Sequence, residues 1–64
     1  MKVSKKKLEI AMARAKLNRN ELAEKAEMPL PTICTVVKRG TGKPGTVGKI
    51  AGTLGVDVTE ILED

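Results

Sequence analysis

The chain has 64 residues, 41% of them hydrophobic and 31% charged, and a formal net charge of +4, which is enough for one small folded domain and too little for a second, ligand-sensing one. It has no His, Phe, Tyr or Trp and a single cysteine, Cys34; this excludes a Cys/His zinc site, an imidazole-based triad, an internal disulfide and the aromatic stacking platforms of single-stranded nucleic-acid readers. No apolar run nears the ~18 residues of a membrane span, and residues 2–7 do not read as a signal-peptide core, so a cytoplasmic protein with no membrane contact is expected.

Leu8, Ala11, Met12 and Ala15 fall at i, i+3, i+4 and i+7 and predict a first helix over residues 4–17, with Ile10 off the stripe. Asn18 and Glu21 have capping-box spacing and predict a second helix from Arg19 to about Ala26, with Leu22, Ala23 and Ala26 inward. Glu27, Met28 and Pro29 interrupt the pattern. A third helix over residues 30–39 then places Ile33, Val36 and Val37 inside, and Gly40 closes it at positive φ. Pro31 is tolerated there because the first helical turn has N–H groups without helical partners anyway. Residues 40–45, GTGKPG, read as a turn-rich loop. Val47, Ile50, Ala51 and Leu54 predict a fourth helix ending at Gly55. Asp57 and Glu60 form a second capping box, which opens a short fifth helix through Val58, Ile61 and Leu62. The expectation is an all-α single domain over residues 1–64, with five short helices and no strand.

The second and third helices are separated by only three residues, and a small residue, Ala23, lies where two steeply crossing helices would touch. This is helix-turn-helix spacing, over about residues 19–39. With Ile33, Val36 and Val37 inside, Pro31, Thr35 and Lys38 point outward together at i, i+4 and i+7. Charge is segregated as well. Residues 1–20 carry seven cations against Glu9, and residues 38–49 carry Lys38, Arg39, Lys43 and Lys49 against no anion. Asp57, Glu60, Glu63 and Asp64 all fall near the end. A chain polarised in this way is suited to meeting a polyanion with one face.

With ELAEK, Ile33 and Val36, KRG and the closing stretch TVGKIAGTLGVDVTEIL, the sequence resembles the lambda-repressor and Cro-like helix-turn-helix family over nearly all of its length. Ile50, Ala51, Leu54, Gly55 and Val56 reproduce the family's Ile-Ala-x-x-Leu-Gly-Val helix ending. The resemblance implies a third helix in the major groove of double-stranded DNA and a homodimer on a near-palindromic operator. It maps base-contacting positions onto Leu30, Pro31, Thr32, Thr35 and Lys38, and phosphate-contacting positions onto Arg19, Asn20, Arg39 and Lys43. The function so implied is that of a small prokaryotic or phage-type transcriptional regulator, most simply a repressor acting by operator occupancy, with no enzymatic activity, cofactor or small-molecule effector.

Three departures from the family pattern bear on this expectation. Glu27 occupies a turn position that is usually glycine, so either a non-glycine residue takes positive φ there or the turn is rearranged. Met12 and Val37 replace an Arg–Glu pair and offer an apolar contact in its place. Leu30 and Pro31 cannot hydrogen-bond a base edge; they can touch thymine methyls, which leaves Thr32, Thr35 and Lys38 as polar readers. The same apolar face motivates an alternative function, a protein-binding module of the antitoxin or anti-repressor kind. Residues 5–7 read equally as a phosphate clamp or as a solvated helix start, and Lys38 and Arg39 also suit a helix C-terminus. Thr59, Ile61 and Leu62 cover the core or form a dimer seam. Cys34 reads as a small, half-buried hydrophobe rather than a reactive thiol, and Met12 and Met28 as core fillers.

Overall fold

Four α-helices and one 3-10 turn make up the regular structure in the computed structural model, which describes residues 1–63. Helix α1 spans Lys5–Ala15, α2 Arg19–Ala26, α3 Leu30–Arg39 and α4 Pro44–Leu54; the turn η1 spans Val58–Glu60. Among the described residues no strand forms and no helix is long and apolar enough to cross a membrane.

Each start has a local cause. Ser4 caps α1, its hydroxyl oxygen accepting from the Lys7 N–H at 3.2 Å. The Asn18–Glu21 capping box is closed in both directions at the head of α2, at 2.8 and 3.1 Å. Prolines near the starts of α3 and α4 occupy first-turn positions whose N–H groups have no helical acceptor.

All four α-helices end on a residue in the left-handed region: Lys16, Glu27, Gly40 and Gly55. After Lys16, Glu27 and Gly55 the following N–H reaches back five residues, from Leu17 to Met12 O, Met28 to Ala23 O and Val56 to Ala51 O, at 2.9–3.0 Å. Glu27 therefore resolves its alternative: it takes the turn at φ 55° and ψ 43° without a glycine. The non-glycine residue in this conformation costs about 1–2 kcal/mol, offset by the helix-closing bonds around it.

One core unites the helices. Leu8, Leu22, Ile33, Val47, Ile50 and Ile61 are fully buried, and Val3, Val36, Val37, Met12 and Leu54 belong to the same cluster. Removing a Val, Leu or Ile side chain of this kind from water contributes ~1.5–3 kcal/mol, so six of them dominate the folding of so short a chain. Met12 and Val37 share this cluster, in keeping with the apolar contact expected of them, and Met28 packs against it from a half-buried position. Helix α2 packs on α3 and α4, with Ala23 buried, and α1 packs on the same two helices from another side.

The structure corrects three sequence expectations. The fifth helix is a single 3-10 turn: Asp57 and Glu60 do form a capping box, but Ile61 and Leu62 leave the helix, Ile61 to plug the core and Leu62 to pair with Val3. Residues 44 and 45 belong to α4 rather than to the loop, because Lys43 is its N-cap and Pro44 its first residue. The first helix spans Lys5–Ala15 rather than residues 4–17, because Ser4 is its N-cap and Lys16 its left-handed C-cap; ahead of it residues 1–4 run extended, with Lys2 bridged to Thr41 and Val3 to Leu62. Val3 N–H donates to Gly40 O at 2.7 Å, Gly42 N–H to Met1 O at 3.0 Å and Ser4 N–H to Ile61 O at 2.9 Å. This segment joins two chain regions some forty and sixty residues away into a main-chain seam.

Candidate nucleic-acid interface

Helix α3 has two unlike sides. Its inner side is buried through Ile33, Val36 and Val37, while Leu30, Pro31, Thr35, Lys38 and Arg39 are exposed. Thr32 and Cys34 lie half-buried at the edges. Two rows run along the outer side, Pro31–Thr35–Lys38 and Leu30–Cys34–Lys38, and both end at Lys38. At ten residues the helix is about 15 Å long, and a bare α-helical face of that size fits a major groove about 12 Å wide.

The chemistry along this side is graded. At its N-terminal end there are almost no donors: Pro31 has no N–H, and the N–H groups of Thr32 and Ile33 both turn to the Pro29 carbonyl, at 3.1 and 3.4 Å. The Thr35 hydroxyl donates to the Pro31 carbonyl at 2.9 Å, which engages its only proton and leaves its methyl group and oxygen lone pairs. Lys38 and Arg39 then bring cations to the C-terminal turn, where helix-end carbonyls also favour them.

Beside α3 runs a groove formed with the start of α4. Thr32, Lys43, Gly45, Thr46 and Lys49 line it together with Met28 and Pro29, and the adjoining hollow continues past Thr35 and Thr41. Thr32 faces this groove from α3, and Lys43, the N-cap of α4, stands at its mouth. Hydroxyls and ammonium groups beside a helix start are suited to a phosphate. Thr46 and Lys49 belong to this arrangement as well; of the two, the sequence marks only Lys49, as one cation of the cluster at residues 38–49. The signal for the groove itself was Pro44 following Lys43, a helix start in place of a loop.

The other expected phosphate positions are placed as follows. Arg19 and Asn20 are exposed on the first turn of α2 and do not line the α3–α4 groove. Arg39 is exposed at the end of α3, next to the seam. The run at residues 5–7 divides. The Lys5 stem lies beside Gly40, next in sequence to Arg39. Lys7 is half-buried and its ammonium group donates to Leu62 O at 3.3 Å. Lys7, Ile10, Arg14, Val56 and Glu60 line a separate shallow groove against α1, so part of the N-terminal positive charge sits with an acid, away from α3. Ile10, off the apolar stripe, is 44% exposed there.

The acidic end has a structural use. The Thr59 hydroxyl and, after it, the Thr59 N–H both donate to the Asp57 carboxylate and hold its pKa below the ordinary aspartate range. Ile61 is wholly buried and Leu62 packs on the core, while Thr59 is exposed. Among the described residues no group of three Cys, Asp or Glu side chains is placed to hold a metal ion. Comparison of the chain with protein-family models, with curated proteins and with solved structures finds no match.

Proposed function

We propose that the chain is a sequence-specific double-stranded-DNA-binding protein built as a lambda-repressor-like helix-turn-helix domain over residues 1–64, its motif at residues 19–39. In this reading it acts as a small transcriptional regulator of prokaryotic or phage type, a repressor whose occupancy of an operator is itself the regulatory event. What carries the proposal is the outer side of α3: four exposed side chains, Leu30, Pro31, Thr35 and Lys38, on one ten-residue helix, backed by the buried face of α2 and bordered by Arg39 and Lys43. Helix α3 enters the major groove, with Leu30, Pro31, Thr35 and Lys38 toward the base edges. Thr32, at the edge facing α4, joins Arg19, Asn20, Arg39, Lys43, Thr46 and Lys49 on the phosphates. Two copies bind a near-palindromic site, their half-sites about one helical turn, roughly 34 Å, apart.

The decisive experiment is selection of bound sequences from a random duplex pool at physiological salt. An enriched motif is expected, with affinity falling steeply as salt rises, by a slope of about 0.9 per phosphate neutralised. A pool left without any motif sinks the proposal. Leu30, 39% exposed, specifically favours the second reading, a protein-binding module. It is the right one if a protein partner is captured in a salt-insensitive way while duplex DNA is not bound.

A further inference from the structure

The groove-facing side of α3 contains little that can address a base by hydrogen bonding. Leu30 and Pro31 have no polar side-chain atom, Cys34 is a half-buried thiol, and the Thr35 hydroxyl proton is spent on the Pro31 carbonyl. No Asn, Gln or Arg stands on that face before Arg39, so the planar, two-bond recognition of adenine or guanine by an amide or guanidinium fork is missing along most of it. What remains is a short row of aliphatic surface from Leu30 to the Thr35 methyl, ending, about two helical turns from its start, in one flexible ammonium group at Lys38. In a major groove the base feature complementary to aliphatic surface is the thymine C5-methyl group. The features complementary to an ammonium are guanine O6 and N7.

From this, and resting on the DNA-binding reading above, we infer that the protein recognises its half-site by thymine methyl groups read by Leu30, Pro31 and the Thr35 methyl, followed by a guanine read by Lys38. Specificity is thus mostly apolar. It discriminates thymine from uracil, and it accepts 5-methylcytosine, which presents the same methyl group at the same place in the groove, better than it accepts cytosine.

The chemistry on the DNA side tests this without altering the protein. In the motif recovered by selection, each thymidine is replaced in turn by deoxyuridine, and binding is compared with replacements outside the half-sites. Loss of one buried methyl contact is expected to weaken binding about fourfold at each of two or three adjacent positions, and not outside them. Changing one of those thymines to cytosine weakens binding, and methylating that cytosine at C5 recovers part of the loss. Replacing the guanine by 7-deazaguanine weakens binding to the wild-type chain and has little effect on Lys38→Met. On the protein side, Thr35→Ala removes the uracil penalty at one position, whereas Thr35→Val, which keeps the methyl and discards the hydroxyl, retains that penalty. Thr35 and Lys38 are exposed, so these variants fold as the parent does.

A motif that tolerates uracil at every thymine overturns this inference while leaving sequence-specific DNA binding intact. So does loss of the uracil penalty in Thr35→Val. A selection that yields no motif overturns both.

Discussion

The outer side of α3 and the seam formed by residues 1–4 are built on opposite plans. Along α3 the main chain is satisfied within the helix, and side chains stand out into solvent with few partners of their own. In the seam the side chains matter less and the main chain does the joining: Val3 to Gly40, Ser4 to Ile61 and Gly42 to Met1 are all backbone hydrogen bonds across the length of the sequence. The first region leaves its side chains open to solvent, as the proposed DNA contact requires. The second holds residues 1–4, residues 61–63 and the α3–α4 loop together, and that loop lies between Arg39 and Lys43. The difference separates binding from folding, and substitutions in the two regions should separate them too.

The largest effect is expected at the seam. A side chain at Gly40 would bring its Cβ to 2.9 Å from Val3 O, at a backbone φ of +69°. Gly40→Ala should cost about 2–4 kcal/mol, from the αL penalty plus displacement of the Val3 carbonyl. For a domain of this size that lowers the thermal midpoint by roughly 10–25 °C. Because Arg39 and Lys43 flank the displaced loop, duplex affinity should fall with it even at a temperature where the protein is folded. Unchanged affinity in the folded variant would show that the seam does not position the cations.

The mirror-image result is expected on α3. Lys38→Ala and Arg39→Ala should leave unfolding in denaturant within about 0.5 kcal/mol of the parent, since both residues are exposed. Both should weaken duplex binding, and Arg39→Ala should lower the salt slope by about one, the signature of a lost phosphate contact. If the slope does not move, Arg39 serves only the helix end.

Glu27, at the turn between α2 and α3, belongs to neither plan. Glycine adopts its φ of 55° without the side-chain penalty, so Glu27→Gly should stabilise the fold by about 0.5–1 kcal/mol after the extra freedom of the unfolded chain is counted. A neutral or destabilising result would mean that the Glu27 side chain contributes a compensating interaction.

The smallest effect is expected at Asp57. Its folded-state pKa lies below its unfolded one because Thr59 donates to the carboxylate. The resulting stability is therefore fully present above the unfolded pKa, near 4, and disappears as pH falls through the lower folded value. The difference in stability between the parent and Asp57→Asn should be constant above about pH 5 and shrink below pH 4. A difference that widens on acidification would contradict the Thr59 contact.

The sequence carried α2 and α3 almost to the residue, because their signals are local: a capping box at Asn18 and Glu21, prolines in a first turn, a glycine after Arg39, and apolar spacing in between. The side of α3 that faces outward was legible for the same reason, since burying Ile33, Val36 and Val37 forces Pro31, Thr35 and Lys38 to the other side. The groove with α4 was only partly legible. Thr46 and Lys49 meet Thr32 through the packing of two helices, and Pro44 as a helix start is a weaker signal than Gly40 or Gly45 as a turn.

By itself, then, the amino-acid order determined which stretches coil, which faces turn inward and where the cations cluster, because each of these depends on neighbours within about four positions. Only the tertiary structure decided what depends on distant partners. Residues 1–4 have no periodic pattern, yet they are held extended by carbonyls and amides of residues 40–42 and 61–63, groups every sequence possesses and no sequence distinguishes. The end of the chain stops after one 3-10 turn because Ile61 gains more by filling the core than by extending a helix, and that choice exists only once the core has assembled around it.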